Sequence, residues 1–181
     1  MSRLYAVAST SATGPGGAGD GPGPADPSDL APSDLAAFFD DLVRCETRLY
    51  NAVGDKLRAE HGIVTSQYEG LRFVRDHPRC RVADIATTFA IGIGAASKII
   101  DRFETNGWAA RLPNPADRRS SLISLTAHGA TLVAEAEQTF HGHLADLITA
   151  AIGAEQVSAV GAALATLRQT LEDARVGVPV G

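Results

Sequence analysis

The sequence predicts a mainly α-helical fold with a small β-hairpin, arranged as a winged helix-turn-helix between long terminal helices. Three observations lead there. Alanine is abundant and aromatic residues are only 6% of the chain, which suits close-packed helices better than a β-sandwich. Apolar residues recur at helical spacing through most of residues 33–174. One exception stands out: two short apolar runs, Trp108–Leu112 and Ser121–Leu125, flank the loop PNPADRRS directly after an amphipathic helix.

In chain order, residues 1–31 are rich in Gly, Pro, Ala, Ser and Asp and bury too little apolar surface to offset ordering entropy, so a disordered tail is expected. Ser33, after Pro32, is a good N-cap for a first helix running to about Glu60. Its stripe is Leu35, Phe39, Leu42, Leu49, Val53 and Leu57, with Phe38 and Cys45 beside it. A helix this long needs a partner, either a later helix or another subunit. Thr65 is expected to cap a second helix carrying Tyr68, Leu71, Phe73 and Val74, which ends before Pro78. A third helix, Val82 to about Phe89, and a fourth, roughly Gly92–Asn106, are joined by the turn Ala90-Ile91-Gly92 and form the helix-turn-helix pair. The two strands make the wing. Thr126 caps a fifth helix, and a final helix from about Ala154 to Ala174 places Val157, Val160, Leu164, Leu167 and Leu171 on a coiled-coil-like seam. The organisation expected is a tail (1–31), a helix (32–64), a winged lobe (65–125), two helices (126–176) and a flexible end (177–181).

The net charge of −5 is unevenly spread. Residues 65–120 hold nine Arg/Lys against six Asp/Glu, a balance of +3, which leaves −8 on the rest. A basic module in an acidic frame would steer toward phosphates while repulsion keeps the remainder away. No apolar run approaches the roughly 20 residues of a membrane span, and the start, MSRLYAVAST, is too short and polar for a signal peptide. Two cysteines make neither a disulfide framework nor a metal site, so a cytoplasmic setting is expected.

In the fourth helix, Ile93, Ala96, Ile99, Ile100 and Phe103 form the expected buried stripe. The other face presents Gly94, Ala95, Ser97, Lys98, Asp101 and Arg102. Its small N-terminal residues allow a backbone to sink into a groove, where Lys98 can donate to guanine and Ser97 can donate or accept. In the wing, Asp117 is placed to hold Arg119 or its neighbours by a short-range ion pair, which keeps a guanidinium at the tip, and a guanidinium suits a narrow minor groove. Either feature alone could be an ordinary solvated surface. Their succession is what points to nucleic acid.

The runs IIDRFETNGW, AARLPNPADRRS and LISLTAHG, with Thr65-Ser66-Gln67 upstream, resemble the MarR (multiple antibiotic resistance regulator) family of winged-helix transcription factors. The resemblance covers about residues 34–174. It implies that Ser97, Lys98 and Arg102 read the major groove, and that Asp117, Arg118 and Arg119 serve the wing in the minor groove. It also implies that the N- and C-terminal helices are dimerisation helices. A homodimer would bind a pseudo-palindromic operator on double-stranded DNA, with half-sites about one helical turn apart. Most members are repressors released by a small, often aromatic or anionic effector, or by cysteine oxidation.

For the effector, the first, second and fifth helices offer Arg48, Tyr50, His61, Tyr68 and Arg72. For oxidation, Cys45 lies on or beside the apolar stripe, whereas Cys80 stands between Arg79 and Arg81, whose charges could lower its pKa. Two other classes compete. An enzyme would need a catalytic domain, but no glycine-rich phosphate loop follows a strand and no metal-spaced His/Cys set occurs, so neither catalytic residues, a cofactor nor a metal is expected. A non-inducible architectural module would bind DNA with little sequence preference, whereas a regulator discriminates sharply.

Overall fold

The computed structural model describes residues 31–179. The helices and strands follow in the order α1 (Pro32–His61), α2 (Thr65–Asp76), β1 (Cys80–Arg81), α3 (Val82–Thr88), α4 (Ile93–Thr105), β2 (Ala109–Pro113), β3 (Ser121–Leu125), α5 (Ala127–Thr149) and α6 (Ala154–Asp173). The chain divides into two compact units, residues 1–41 and 42–181. In the first, the described residues form the opening turns of α1, where Leu35, Phe38 and Phe39 are exposed. The expected tail at 1–31 lies, apart from Ala31, outside the described residues, as does the end of the 177–181 segment.

The second unit is built on a three-stranded antiparallel sheet of order β1-β3-β2. In it Ala109 pairs with Leu125 and Pro113 with Ser121, the register of a hairpin whose loop is 114–120. β1 was not expected. It is two residues long, and the chain enters it through Arg79, whose left-handed backbone (φ 65°) turns it out of α2 and lets its N–H donate to the Ile123 carbonyl at 3.0 Å. Ile123 and Leu122 on β3 then pair with Cys80 and Arg81.

Two hydrophobic clusters hold the unit together. The first joins α2, α3, α4, the sheet and α5 through Leu71, Ile85, Ile100, Phe103, Ile123 and Val133. The second joins α1, α2 and α5 through Val53, Leu57, Ile63, Tyr68 and Ala136. Trp108 and Leu132 pack against both, so the two clusters share a wall.

Several details differ from the sequence reading. Val64, in extended conformation, is the N-cap of α2, and Thr65 instead turns its hydroxyl inward to donate to the Tyr50 carbonyl at 2.9 Å. In the helix-turn-helix corner the left-handed residue is Ala90 (φ 49°), while Gly92 is extended. Ile93, expected in the buried stripe of α4, is 65% exposed. Cys45 is exposed on α1, not packed in its stripe. The α6 seam at Val157, Val160, Leu164, Leu167 and Leu171 is real in spacing but has no cover among the described residues, since no residue of α6 is buried. Among the described residues, no single helix is long and apolar enough to cross a membrane.

The junction of the wing with α5 is the tightest point. The Thr126 hydroxyl caps α5 by accepting from the Gly129 N–H (3.0 Å) and donates to the Gly107 carbonyl (2.6 Å). The Thr126 N–H reaches the Trp108 carbonyl at 3.0 Å. A Cβ built on Gly129 would lie 1.9 Å from that same Trp108 oxygen. No rotamer relieves a clash between a Cβ and a backbone carbonyl, so the helix or the strand must move. Gly129→Ala is therefore expected to cost about 1–3 kcal/mol, the range of overpacked sites, and urea denaturation reads this as a lowered midpoint. An unchanged midpoint would mean the junction is not a constraint.

Candidate nucleic-acid interface

α4 forms because Ala96, Ile100 and Phe103 recur at helical spacing and bury against the first cluster. It ends at Asn106, whose side-chain amide donates to the Arg102 carbonyl at 2.7 Å, and at Gly107, whose φ of +70° only glycine adopts without strain. The chain then reverses directly into Trp108 and β2.

Of the residues expected to face nucleic acid, Lys98 and Arg102 are exposed on α4, and Ser97 is half-buried beside them. Arg118 and Arg119 are exposed on the wing. Among the described residues none of these four cations has an ion pair. The guanidinium of Arg119 is not held by Asp117 as expected. The Asp117 carboxylate instead accepts the backbone N–H of Arg119 at 3.0 Å, while Asn114 accepts from the Ala116 N–H and donates to the Ser120 hydroxyl at 2.8 Å. Short polar side chains make this local turn. Asp117 therefore shapes the backbone of the tip and leaves the Arg119 side chain free to reach outward.

A residue missed at the sequence level ties these parts together. Arg111, on β2, reaches across to α4: its guanidinium contacts Asp101 at 2.7 Å and also pairs with Glu104. The Arg111 backbone N–H donates to the other Glu104 oxygen at 2.9 Å, and the guanidinium lies 3.4 Å from the Ser97 hydroxyl and carbonyl. Planar fork geometry is what lets one side chain grip two carboxylates on successive helical turns. The same guanidinium offsets part of the charge of the two acids, which would otherwise oppose an incoming phosphate. Between α3, α4 and the wing lies a groove of about 430 Å³, lined among others by Arg81, Ile93, Ser97, Arg111 and Arg119. Arg81 also forks to Asp84, holding that carboxyl below its ordinary range.

The effector candidates fall apart into a core and a periphery. Tyr68 is fully buried, its ring 4.8 Å from that of Phe140, and its hydroxyl has no hydrogen-bond partner. The Arg72 guanidinium lies 5.6 Å from the Tyr68 ring centre and 5.9 Å from that of Phe140, within cation–π range. His61 Nε2 is 2.8 Å from the Thr139 hydroxyl, which donates in turn to Glu60 at 2.8 Å, so the ring nitrogen is the donor. Tyr50 contributes its carbonyl to Thr65, and burial, then Glu69, pushes its phenol pKa up. Arg48 is exposed. Nearby, Arg75 on α2 forks to Glu137 on α5 at 2.7 and 2.9 Å, a link the sequence did not suggest.

Cys80 departs most from expectation. Its flanking arginines do not activate it: the residue is 7% exposed, and burial, with Asp84 second, pushes the thiol up to about 11. At neutral pH it is a buried thiol. Among the described residues no His/Cys/Asp/Glu group is arranged to hold a metal.

Two measurements probe this geometry. Arg111→Ala should destabilise the fold by about 1–2 kcal/mol, the scale of hydrogen bonds to charged groups, and Arg111→Lys should recover only part, since an ammonium cannot fork. Full recovery by lysine in thermal melts would reduce the clamp to a simple charge. With iodoacetamide at pH 7.5, Cys80 should stay unmodified in the native protein and react after denaturation, as peptide mass spectrometry would show. Rapid native labelling of Cys80 would contradict its burial.

Residues 63–121 match the model of the MarR family. The multiple antibiotic resistance protein MarR of Escherichia coli is 27% identical over 114 residues, covering 61% of this chain and 79% of that one. A MarR family transcriptional regulator from Streptomyces coelicolor, solved in complex with DNA, superposes with a TM-score of 0.72 at 19% identity, over 88% of this chain and 98% of that one. The repressor CouR, bound to a 23-mer DNA duplex, gives 0.69 at 25% identity, over 77% and 98%. The matched segment spans α2, the helix-turn-helix and the wing loop, and over that segment the chain is similar to the MarR family.

Proposed function

We propose that this chain is a dimeric, sequence-specific DNA-binding transcription regulator of the repressor type, released from its operator by a small aromatic or anionic effector. The single observation that carries the reading is the set of unpaired cations on one helix and its adjoining wing. Lys98 and Arg102 stand on α4, and Arg118 and Arg119 stand on a turn built so that their side chains point to solvent. Relatives of the same fold have been solved on DNA, which supports assigning α4 to the major groove and the wing to the minor groove. Ser97, Lys98 and Arg102 are then base-reading residues. Arg119, with Arg118 beside it and Asp117 shaping the loop, is the minor-groove residue.

Dimerisation is supported by the seam on α6. Five large aliphatic side chains at heptad spacing stand between 36% and 51% exposed, beside an apolar groove of about 530 Å³ that includes Leu42, Leu164 and Leu171. A second copy would cover it. The effector reading rests on Tyr68, Arg72 and Phe140. An aromatic acid offers a ring to the two tilted rings, a carboxylate to the guanidinium, and an acceptor to the buried phenol that lacks one.

A mobility-shift titration across salt concentrations tests the core of this. Arg119→Ala should weaken binding and flatten the dependence of log K on log salt by about one unit for each phosphate-directed charge lost, leaving the oligomeric state unchanged. Identical curves for variant and parent would remove the wing from the mechanism. Equal affinity for all duplexes would favour the architectural alternative over a regulator.

A further inference from the structure

The first residue of α4 is a side chain whose placement the packing does not explain. Ile93 is β-branched and apolar, and it stands 65% exposed. Single exposed apolar residues are common on proteins, so exposure alone decides nothing. Its surroundings decide more. Ile93 borders the groove beside Val82 and Ala83, among Arg81, Arg119, Ser97 and the acid Asp117, so a small apolar patch sits within a polar rim in which cations predominate. On either side of it in sequence the helix end is clear: a methyl built on Gly92 or on Gly94 would meet nothing within 4 Å. The first turn holds no acid, and Gly92 supplies no side-chain cap, so the first N–H groups keep their partial positive charge.

An occupant must therefore offer anionic groups at the rim and something apolar within. An apolar protein surface would leave the guanidinium of Arg119 desolvated without a partner, which is costly. A DNA major groove supplies both features. Phosphates line its edges, and the one hydrocarbon group on its base edges is the 5-methyl of thymine. Resting on the DNA-binding reading above, we propose that Ile93 is a specificity-determining residue that selects thymine through contact with that methyl group.

The test uses the full-length chain and a duplex obtained by repeated selection from a randomised library. Each thymine of the selected site is replaced in turn by deoxyuridine, which removes one methyl and leaves every hydrogen-bonding group in place. At one position per half-site the parent protein should lose about fourfold in affinity per methyl, the equivalent of ~0.8 kcal/mol for a buried methyl or methylene. Ile93→Ala should bind the thymine and deoxyuridine duplexes equally at that position, and Ile93→Val should retain part of the difference. Circular-dichroism melts of both variants establish that the helix end is intact. If a site is selected but no deoxyuridine effect depends on residue 93, the inference fails and the DNA-binding reading stands. If no sequence is enriched at all, sequence-specific binding fails, and the thymine contact with it.

Discussion

One guanidinium ties the exposed face of α4 to the wing that follows it. Arg111 stands on a wing strand, and Asp101 and Glu104 stand on the helix before it. Beside that link, Ala109 and Ile123 of the hairpin bury with Ile100 and Phe103 of α4 in the first cluster, so packing holds the base of the wing and Arg111 adds a polar grip at its edge. The fork makes strand and helix one body, so that the distance from the exposed face of α4 to the tip at Arg119 is fixed before anything binds. Pre-fixed geometry spares the ordering cost that a flexible wing would bring to binding.

The same reasoning explains why the wing tip contains an acid. A carboxylate beside two arginines looks self-defeating on a surface proposed to meet phosphates. Asp117 is consumed in holding a backbone N–H, within a turn that Asn114 and Ser120 complete. Its oxygen is occupied locally, and among the described residues neither Arg118 nor Arg119 has an ion pair. Asp101 and Glu104 are treated alike, being gripped by Arg111 so that Lys98 and Arg102 remain the free charges of α4. The surface is basic because Lys98, Arg102, Arg111, Arg118 and Arg119 outnumber Asp101, Glu104 and Asp117, and the pairing of the acids decides which cations stay free.

Much of this was legible in the sequence, and the failures share a cause. Helix and strand periodicity located every helix and both wing strands, with Ser121–Leu125 placed to the residue because turn chemistry bounds it on both sides. What periodicity cannot show is how far a core extends along an element. Ile93 fits the α4 stripe by spacing, but the first cluster reaches only back to Ala96. Nor does sequence adjacency show direction. Arg81 follows Cys80, but successive strand residues face opposite sides, so the thiol enters the core while the guanidinium turns to Asp84. Arg111 was invisible for a third reason: its partners lie seven and ten residues back, across a turn, at a spacing no local pattern marks.

The shared wall between the two clusters limits how a signal could travel. Tyr68 and Phe140 lie in the cluster that α1, α2 and α5 enclose, while Ile100 and Phe103 of the reading helix lie in the other. Trp108 and Leu132 belong to the surface of both, and the Trp108 carbonyl is pinned by the Thr126 N–H and crowded by Gly129. Close-packed interiors do not deform smoothly, so a group inserted beside Tyr68 must be accommodated by repacking at that wall or by moving α5 as a rod. The Arg75–Glu137 fork couples α2 to α5, which makes the first course also a movement of α2. Movement of α5 reaches the base of the wing through Trp108, which immediately precedes β2, while movement of α2 reaches α4 directly, since a Cβ added to Gly70 would lie 3.0 Å from the Phe103 ring. A change at the second cluster would therefore act on the wing base and on α4 together, the two elements that Arg111 also links.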